Sequence, residues 1–251
     1  MQPEMELIYN AFPDRPEVGP ALSRVLLDQV AAGNRGPTVR LSRPGRVVAF
    51  GRRDLNSPGY SKAVTAARNA GFEAMERISG GRAAAYSEGT LSLTITLPDE
   101  APARRTSSRF EYASELARDA IRGLGIDARV GEVDGEYCPG AFSVNSRDRT
   151  KLVGIGQRMI QGAAHIGFVI AVRDAALIRR VLSPVYAAID LEWNPTTVGA
   201  MDDELPAVSL DEVEEALLER IKAESTLVPI ELDEATLALA KAAASGFRSP
   251  G

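Results

Sequence analysis

The sequence predicts an α+β (mixed α/β) chain whose helices pack against one sheet, and three observations carry that prediction. Stretches with apolar residues at helical spacing alternate with short strand-like runs. One run alternates strictly between apolar and polar residues, the pattern of a strand with a buried face. No repeat at a solenoid period and no low-complexity linker divides the 251 residues, a length within reach of one large domain. The expected organisation is a main domain over residues 1–200 and a C-terminal helical extension over 201–251 packed on the same domain.

Leu22, Val25, Leu26 and Val30 mark the face of a first helix that ends near Gly33. Arg46-Val-Val-Ala-Phe50 reads as a buried strand, and a second helix runs from Ser61 to about Ala70. The clearest strand sets Leu91, Leu93, Ile95 and Leu97 against Ser92, Thr94 and Thr96, with Pro98 expected to stop it. Ser108-Arg-Phe-Glu111 has capping-box spacing and opens a helix with Phe110, Ala113, Leu116, Ala117, Ala120, Ile121 and Leu124 on one face, closing at Gly125. Ala141–Asn145, Lys151–Gln157 and His165–Val172 are short apolar segments that predict an antiparallel meander. A helix follows from about Asp174 to Leu182, Ser209-Leu-Asp-Glu212 caps another, and Asp233 opens a last helix closing at Gly246.

Composition narrows the function classes. With 45% apolar and 25% charged residues and no long uncharged apolar run, the chain reads as globular and without a membrane partner. Met1 to Ile8 lacks the basic and apolar segments of a secretion signal, so a cytoplasmic location is expected. One cysteine excludes an internal disulfide, and one histidine leaves few ligands for zinc, so no metal site is expected. A net charge of −5 argues against nucleic acid. Arginines cluster from Arg35 to Arg53 and at Arg104, Arg105 and Arg109, carboxylates from Asp202 to Glu224, and both runs read as solvated surface.

Three blocks carry chemistry. In Arg77-Ile-Ser79-Gly80-Gly81-Arg82, followed by Tyr86, paired glycines admit a ligand close to the backbone and the arginines can hold a carboxylate, phosphate or carbonyl; a plain hairpin turn is the simpler alternative. In Gly135-Glu-Tyr-Cys138-Pro139-Gly140, the proline biases Cys138 toward extended backbone and the glycine clears space beside a thiol. A small buried hydrophobe is the ordinary role of such a cysteine. In Lys151-Leu-Val-Gly154-Ile-Gly156-Gln157, Lys151 reads as a strand-end lysine of little burial whose ammonium is suited to stabilising an oxyanion and depressing a thiol pKa. His165 reads as a core or strand histidine, and Trp193 as packing.

Taken in order, these blocks resemble the lipoate-protein ligase and octanoyltransferase family of the biotin/lipoate protein ligase superfamily, over about Arg46 to Val198. The resemblance implies a mixed, largely antiparallel sheet flanked by helices. It implies that Lys151 contacts an acyl carbonyl, that Gly80 and Gly81 line an acyl pocket walled by the apolar strand that follows, and that Arg77, Ser79, Arg82, Tyr86, Gly154 and Gln157 bind substrate. The Cys138 segment looks most like the cysteine-dependent octanoyltransferase (amidotransferase) branch, in which this cysteine carries the acyl thioester. Glu76 stands where the family often has an arginine, and Tyr86-Ser87 where many ligases have His-Asp. The implied partners are lipoyl-domain proteins, namely the glycine-cleavage H protein and dehydrogenase E2 subunits, with acyl carrier protein as a further donor. A transferase of this kind needs no cofactor. The alternatives are an ATP- and Mg-dependent lipoate-protein ligase and a non-catalytic accessory subunit that binds an acylated lipoyl domain.

Overall fold

The computed structural model describes residues 2–250. In chain order the elements are β1 (Glu4–Tyr9), α1 (Val18–Ala31), β2 (Thr38–Ser42), β3 (Val47–Phe50), α2 (Arg52–Leu55), α3 (Tyr60–Asn69), β4 (Glu73–Glu76), β5 (Ala84–Tyr86) and β6 (Thr90–Asp99). They continue with α4 (Thr106–Gly123), β7 (Ala128–Val130), β8 (Val144–Ser146), β9 (Thr150–Ile160), β10 (Gly162–Ala171), α5 (Ala175–Ala188), α6 (Leu210–Lys222), β11 (Thr226–Ile230) and α7 (Glu234–Ala243).

Eight strands form the main sheet in the order β11-β1-β2-β6-β10-β9-β8-β7. Strands β11, β1 and β2 run parallel, and every other neighbouring pair is antiparallel. The parallel β1–β2 pair needs a crossover, which α1 supplies. A second sheet, β4-β3-β5, pairs β3 parallel to β4 and antiparallel to β5. The result is a large mixed sheet flanked by helices.

Strand β6 shows how sequence periodicity becomes layering. Leu91, Leu93 and Ile95 enter the largest apolar cluster, together with Ala113, Leu116 and Ala117 of α4 and Val213 and Leu217 of α6. Ser92 and Thr96 point to the other face and are buried as well, because α1 lies over β6 and β10. A second cluster joins Val48 and Phe50 of the small sheet to α3 and α5. Each buried aliphatic side chain contributes roughly 1.5–3 kcal/mol, so these two clusters dominate the stability of the layers.

Several boundaries differ from expectation for identifiable reasons. Strand β6 runs through Pro98 to Asp99, because β2 reaches only Thr96 and a missing N–H is tolerated where the strand is paired on one side. Helix α4 opens at Thr106, and Ser108 lies inside its first turn, donating to the Arg105 carbonyl instead of capping. Helix α5 continues past Leu182, with Pro184 inside it, to Ala188. Segment 201–251 contains α6 and α7, capped by Ser209 and Asp233, and also places β11 on the open edge of β1. The arginine runs are not wholly solvated either. Arg109 is buried in an ion pair with Asp99 at 2.6 Å, and Arg40 is buried on β2. Among the described residues no helix is long and apolar enough to cross a membrane.

Candidate active site

Between β7 and β8 the chain forms a loop that carries Glu136, Tyr137 and Cys138. The Glu136 carboxylate is the acceptor at the loop's centre, taking the N–H of Val133 at 3.1 Å, the N–H of Gly140 at 3.3 Å and the Ser143 hydroxyl. Its charge is met by Lys151 Nζ at 2.8 Å, with both side chains almost fully buried. The other two ammonium protons go to the carbonyls of Tyr137 at 3.1 Å and Cys138 at 2.8 Å. An ammonium has three donors, so all of them are engaged. Lys151, read from the sequence as a strand-end lysine of little burial, is therefore an interior residue that ties β9 to the cysteine loop.

Cys138 itself has φ 45, in the left-handed region, rather than the extended backbone that Pro139 favours. For a residue other than glycine such a conformation costs about 1–3 kcal/mol and persists only where its surroundings dictate it. Both backbone groups of Cys138 are clamped. Its N–H donates to the Tyr186 hydroxyl at 2.8 Å, which in turn donates to the Ala83 carbonyl, and its carbonyl accepts from Lys151. The sulfur is thereby aimed at the Arg82 backbone N–H at 3.1 Å and Arg77 Nη2 at 3.4 Å. Burial works against a thiolate here, but the charges of Arg77 and Lys151 and the Arg82 N–H outweigh it and hold the thiol below its ordinary pKa.

The two glycines serve different ends. At Gly81, φ is +104, and a Cβ would collide with the Arg77 guanidinium and lie 2.8 Å from the Cys138 sulfur. Around Gly80 a Cβ would meet nothing within 4 Å, while the Gly80 N–H anchors the loop on the Gln157 carbonyl at 3.2 Å. The loop crosses β9 at Gly156, where a Cβ would press on Ser79 and Gly80 at 3.2 Å. It is not a hairpin turn, because β3 separates β4 from β5.

A cavity of about 430 Å³ opens at the thiol, within the range of small-molecule sites. Its apolar wall includes Ile155, Met159 and the stacked pair Phe110–Phe142, whose ring centroids are 5.2 Å apart. Arg77, Gly80, Gly81, Cys138, Lys151, Gly154 and Gln157 all border it. One expectation is corrected. The apolar face of β6 packs into the core and forms no wall of this cavity. The Arg82 side chain turns to Asp54 at 3.3 Å, leaving its backbone N–H at the thiol. The Gln157 amide is occupied, accepting from Arg109 Nε at 2.8 Å and donating to the Thr106 carbonyl at 3.0 Å. Ser79, Tyr86 and His165 line a separate cavity beyond Arg77. His165 bonds Thr96 through Nδ1, and burial pushes its pKa down to about 3, so it is no base for the thiol. Sequence reasoning missed Glu136 and Tyr186. Glu136 carried a local signal as a carboxylate two positions before the cysteine; Tyr186 carried none. Trp193 packs on Tyr137 and Tyr186 as anticipated.

Comparison with known proteins gives the family of the chain. The family description "Lipoyl protein ligase A/B catalytic domain" matches residues 15–222, and the chain belongs to that family. It is 28% identical over 159 residues to an octanoyl-GcvH:protein N-octanoyltransferase of Anoxybacillus flavithermus, covering 63% of this chain and 57% of that protein. A Macrococcus caseolyticus protein of the same description is 26% identical over 206 residues, covering 79% and 74%. A lipoyl-GcvH:protein N-lipoyltransferase of Listeria monocytogenes is 26% identical over 162 residues, covering 61% and 58%. The match thus spans less than two thirds of the first of these relatives. In fold the chain is similar to lipoate-protein ligase A bound with ATP (TM-score 0.74, 20% identity, 98% and 95% covered). It is also similar to the bi-partite lipoate protein ligase of Thermoplasma acidophilum (TM-score 0.75, 18% identity, 97% and 92% covered).

Two outcomes follow from the geometry. Lys151→Ala leaves the Glu136 carboxylate buried without its cation, and chemical denaturation should show a loss of about 3–5 kcal/mol; a loss near zero would mean that the pair does not hold the loop. The rate of Cys138 alkylation by iodoacetamide, followed against pH, should have its midpoint below the ordinary thiol value of about 8.5. In Arg77→Met the midpoint should rise, and an unmoved midpoint would remove Arg77 from the site's electrostatics.

Proposed function

We propose that this chain is a cysteine acyltransferase that carries an octanoyl or lipoyl group on Cys138 and delivers it to a lysine of a lipoyl-domain protein. The observation that carries the reading is the sulfur's position, between the Arg82 N–H and the Arg77 guanidinium at the head of an apolar cavity. An eight-carbon chain buried there gains roughly 0.8 kcal/mol per methylene, several kcal/mol in all. The names of the curated relatives support the acyl group and the glycine-cleavage H protein as partner; dehydrogenase E2 subunits and acyl carrier protein are further partners under this reading.

In the first half-reaction the Cys138 thiolate attacks the donor's acyl carbonyl carbon, forming a C–S bond and an oxyanion. Arg82 N–H and Arg77 Nη2, within reach of the sulfur, are also within reach of an oxygen attached one carbon away, and we assign the oxyanion to them. Collapse breaks the bond to the donor: an amide-linked donor departs as its lysine amine, which takes a proton from solvent, and a carrier-protein thioester departs as its thiolate. In the second half-reaction a neutral acceptor lysine attacks the thioester, its C–N bond forms as the C–S bond breaks, and the ammonium proton is released. Lys151 is a positioning residue here, its protons committed to Glu136, Tyr137 and Cys138. The route requires neither nucleotide nor metal.

Incubation with an octanoylated donor protein and no ATP should add one octanoyl mass to the chain, labile to hydroxylamine. Cys138→Ser should abolish turnover, because an oxygen ester is a poorer acyl donor to amines. Acceptor modification by Cys138→Ala at an undiminished rate, with free lipoate, ATP and Mg, would replace this reading with that of a ligase.

A further inference from the structure

Cations without partners gather at the mouth of the thiol cavity. The chain carries a net charge of −5, and exposed arginines elsewhere meet carboxylates: Arg46 pairs with Glu88 at 2.9 Å, Arg129 with Asp127 at 2.8 Å and Arg147 with Glu204 at 2.7 Å. Arg52, Arg53 and Arg104 are exposed and Arg158 is half-buried. Among the described residues none of these four joins an ion pair, so their charge is directed outward.

Their placement follows from the fold. Arg52 and Arg158 line a surface depression together with Gly80, Gln157 and Met159, and those three also border the thiol cavity, so the two openings share a rim. Arg53 follows Arg52 on the short helix α2, which is pinned to the thiol loop. The buried Asp54 carboxylate accepts the Gly51 N–H at 3.0 Å and pairs with Arg82 at 3.3 Å, and a Cβ at Gly51 would collide with the Gly81 carbonyl. Arg104 arrives from a different segment, the 3-10 turn Pro102–Arg105. Two residues later Thr106 borders the cavity, and its hydroxyl meets the Met159 sulfur at 3.2 Å. Glu76 is the one carboxylate on the depression, and the Tyr60 hydroxyl lies 3.5 Å from it. The unpaired guanidinium groups outnumber it.

We propose that this arginine rim docks a carboxylate-rich face of the acceptor protein, beside the lysine that is to be modified. The inference rests on the acyl transfer proposed above, because a rim around the sulfur matters only if a protein-borne amine must reach it. A guanidinium fork matches a carboxylate bidentately. Exposed charges at a rim contribute mainly to the rate and orientation of encounter and little to residence time. That suits a partner that leaves after each transfer. A compact acidic face fits the rim, whereas a long polyanion such as nucleic acid runs beyond it onto a chain of net negative charge.

Docking and chemistry are measured separately on the full chain. The association rate with apo glycine-cleavage H protein, which needs no acyl group, should fall steeply with added salt. In the double variant Arg52→Glu, Arg158→Glu it should be about tenfold lower or less at low ionic strength, with the difference closing at high salt. Arg180→Glu, at a residue that borders neither opening, should associate as the wild type does. Acylation of Cys138 by a small octanoyl thioester, which has no protein surface, should proceed at the wild-type rate in the double variant. Failure of that acylation in the wild type counts against the acyl-transfer reading and leaves the association result to decide docking. An association rate that is insensitive to salt in the wild type, or unchanged in the double variant, overturns the proposal. Faster association with duplex DNA or with anionic vesicles than with the H protein overturns it as well.

Discussion

The ion pair between Lys151 and Glu136 is the constraint on which the site depends. Neither charge is tolerable alone at that depth, so the two must meet. Meeting joins a strand of the main sheet to a loop that has no regular structure of its own. The carboxylate organises the loop from inside through Val133, Gly140 and Ser143, and the ammonium fixes the carbonyl of Cys138. Tyr186 fixes the N–H of the same residue from α5. A cysteine held at both ends can keep a left-handed backbone beside a proline, and that conformation directs the sulfur at Arg77 and Arg82. The placement of the sulfur thus rests on a structural device that makes no contact with the sulfur itself.

Missing side chains shape the rest of the site as much as those present. Gly156 of β9 pairs directly with Gly167 of β10, and Gly154 lies two residues along β9 on the same face, leaving a shallow trough in the sheet's polar face. The Ser79-Gly80-Gly81 loop lies in this trough and places Arg77 between two chambers, one at the thiol and one around Arg40. Only Gly81 among the paired glycines is required by the approach of the sulfur. The arginine between the chambers serves both, donating to the sulfur through Nη2 while its Nε remains free on the inside.

Features written in short stretches of sequence were legible. The alternation of β6, the Ser209 capping box, the meander of β8 to β10 and the motifs around Gly80, Cys138 and Lys151 depend on neighbours a few residues away. The rest depends on which distant segments meet. Arg40 and Arg109 belong to arginine-rich runs that read as surface, and only strand register and helix docking turn them inward, where Arg109 meets Asp99 and Arg40 meets, among the described residues, the neutral groups of Asn10, Gly19 and Ser23. Tyr186 lies 48 residues from Cys138 in sequence, and β11 reaches β1 from the far end of the chain. Cys138 departs from the backbone that its proline favours because tertiary clamps outweigh a local preference of a few kcal/mol.

The central claim, that Glu136 acts on the thiol by positioning it, has a test whose sign is diagnostic. Removing a nearby negative charge stabilises a thiolate, so a purely electrostatic role makes Glu136→Ala lower the pH midpoint of Cys138 alkylation. If Glu136 positions the loop, its loss releases the sulfur from Arg77 and the Arg82 N–H, and the midpoint rises toward or above the ordinary thiol value. A rise is the expected result; a midpoint that falls or stays in place would contradict the account.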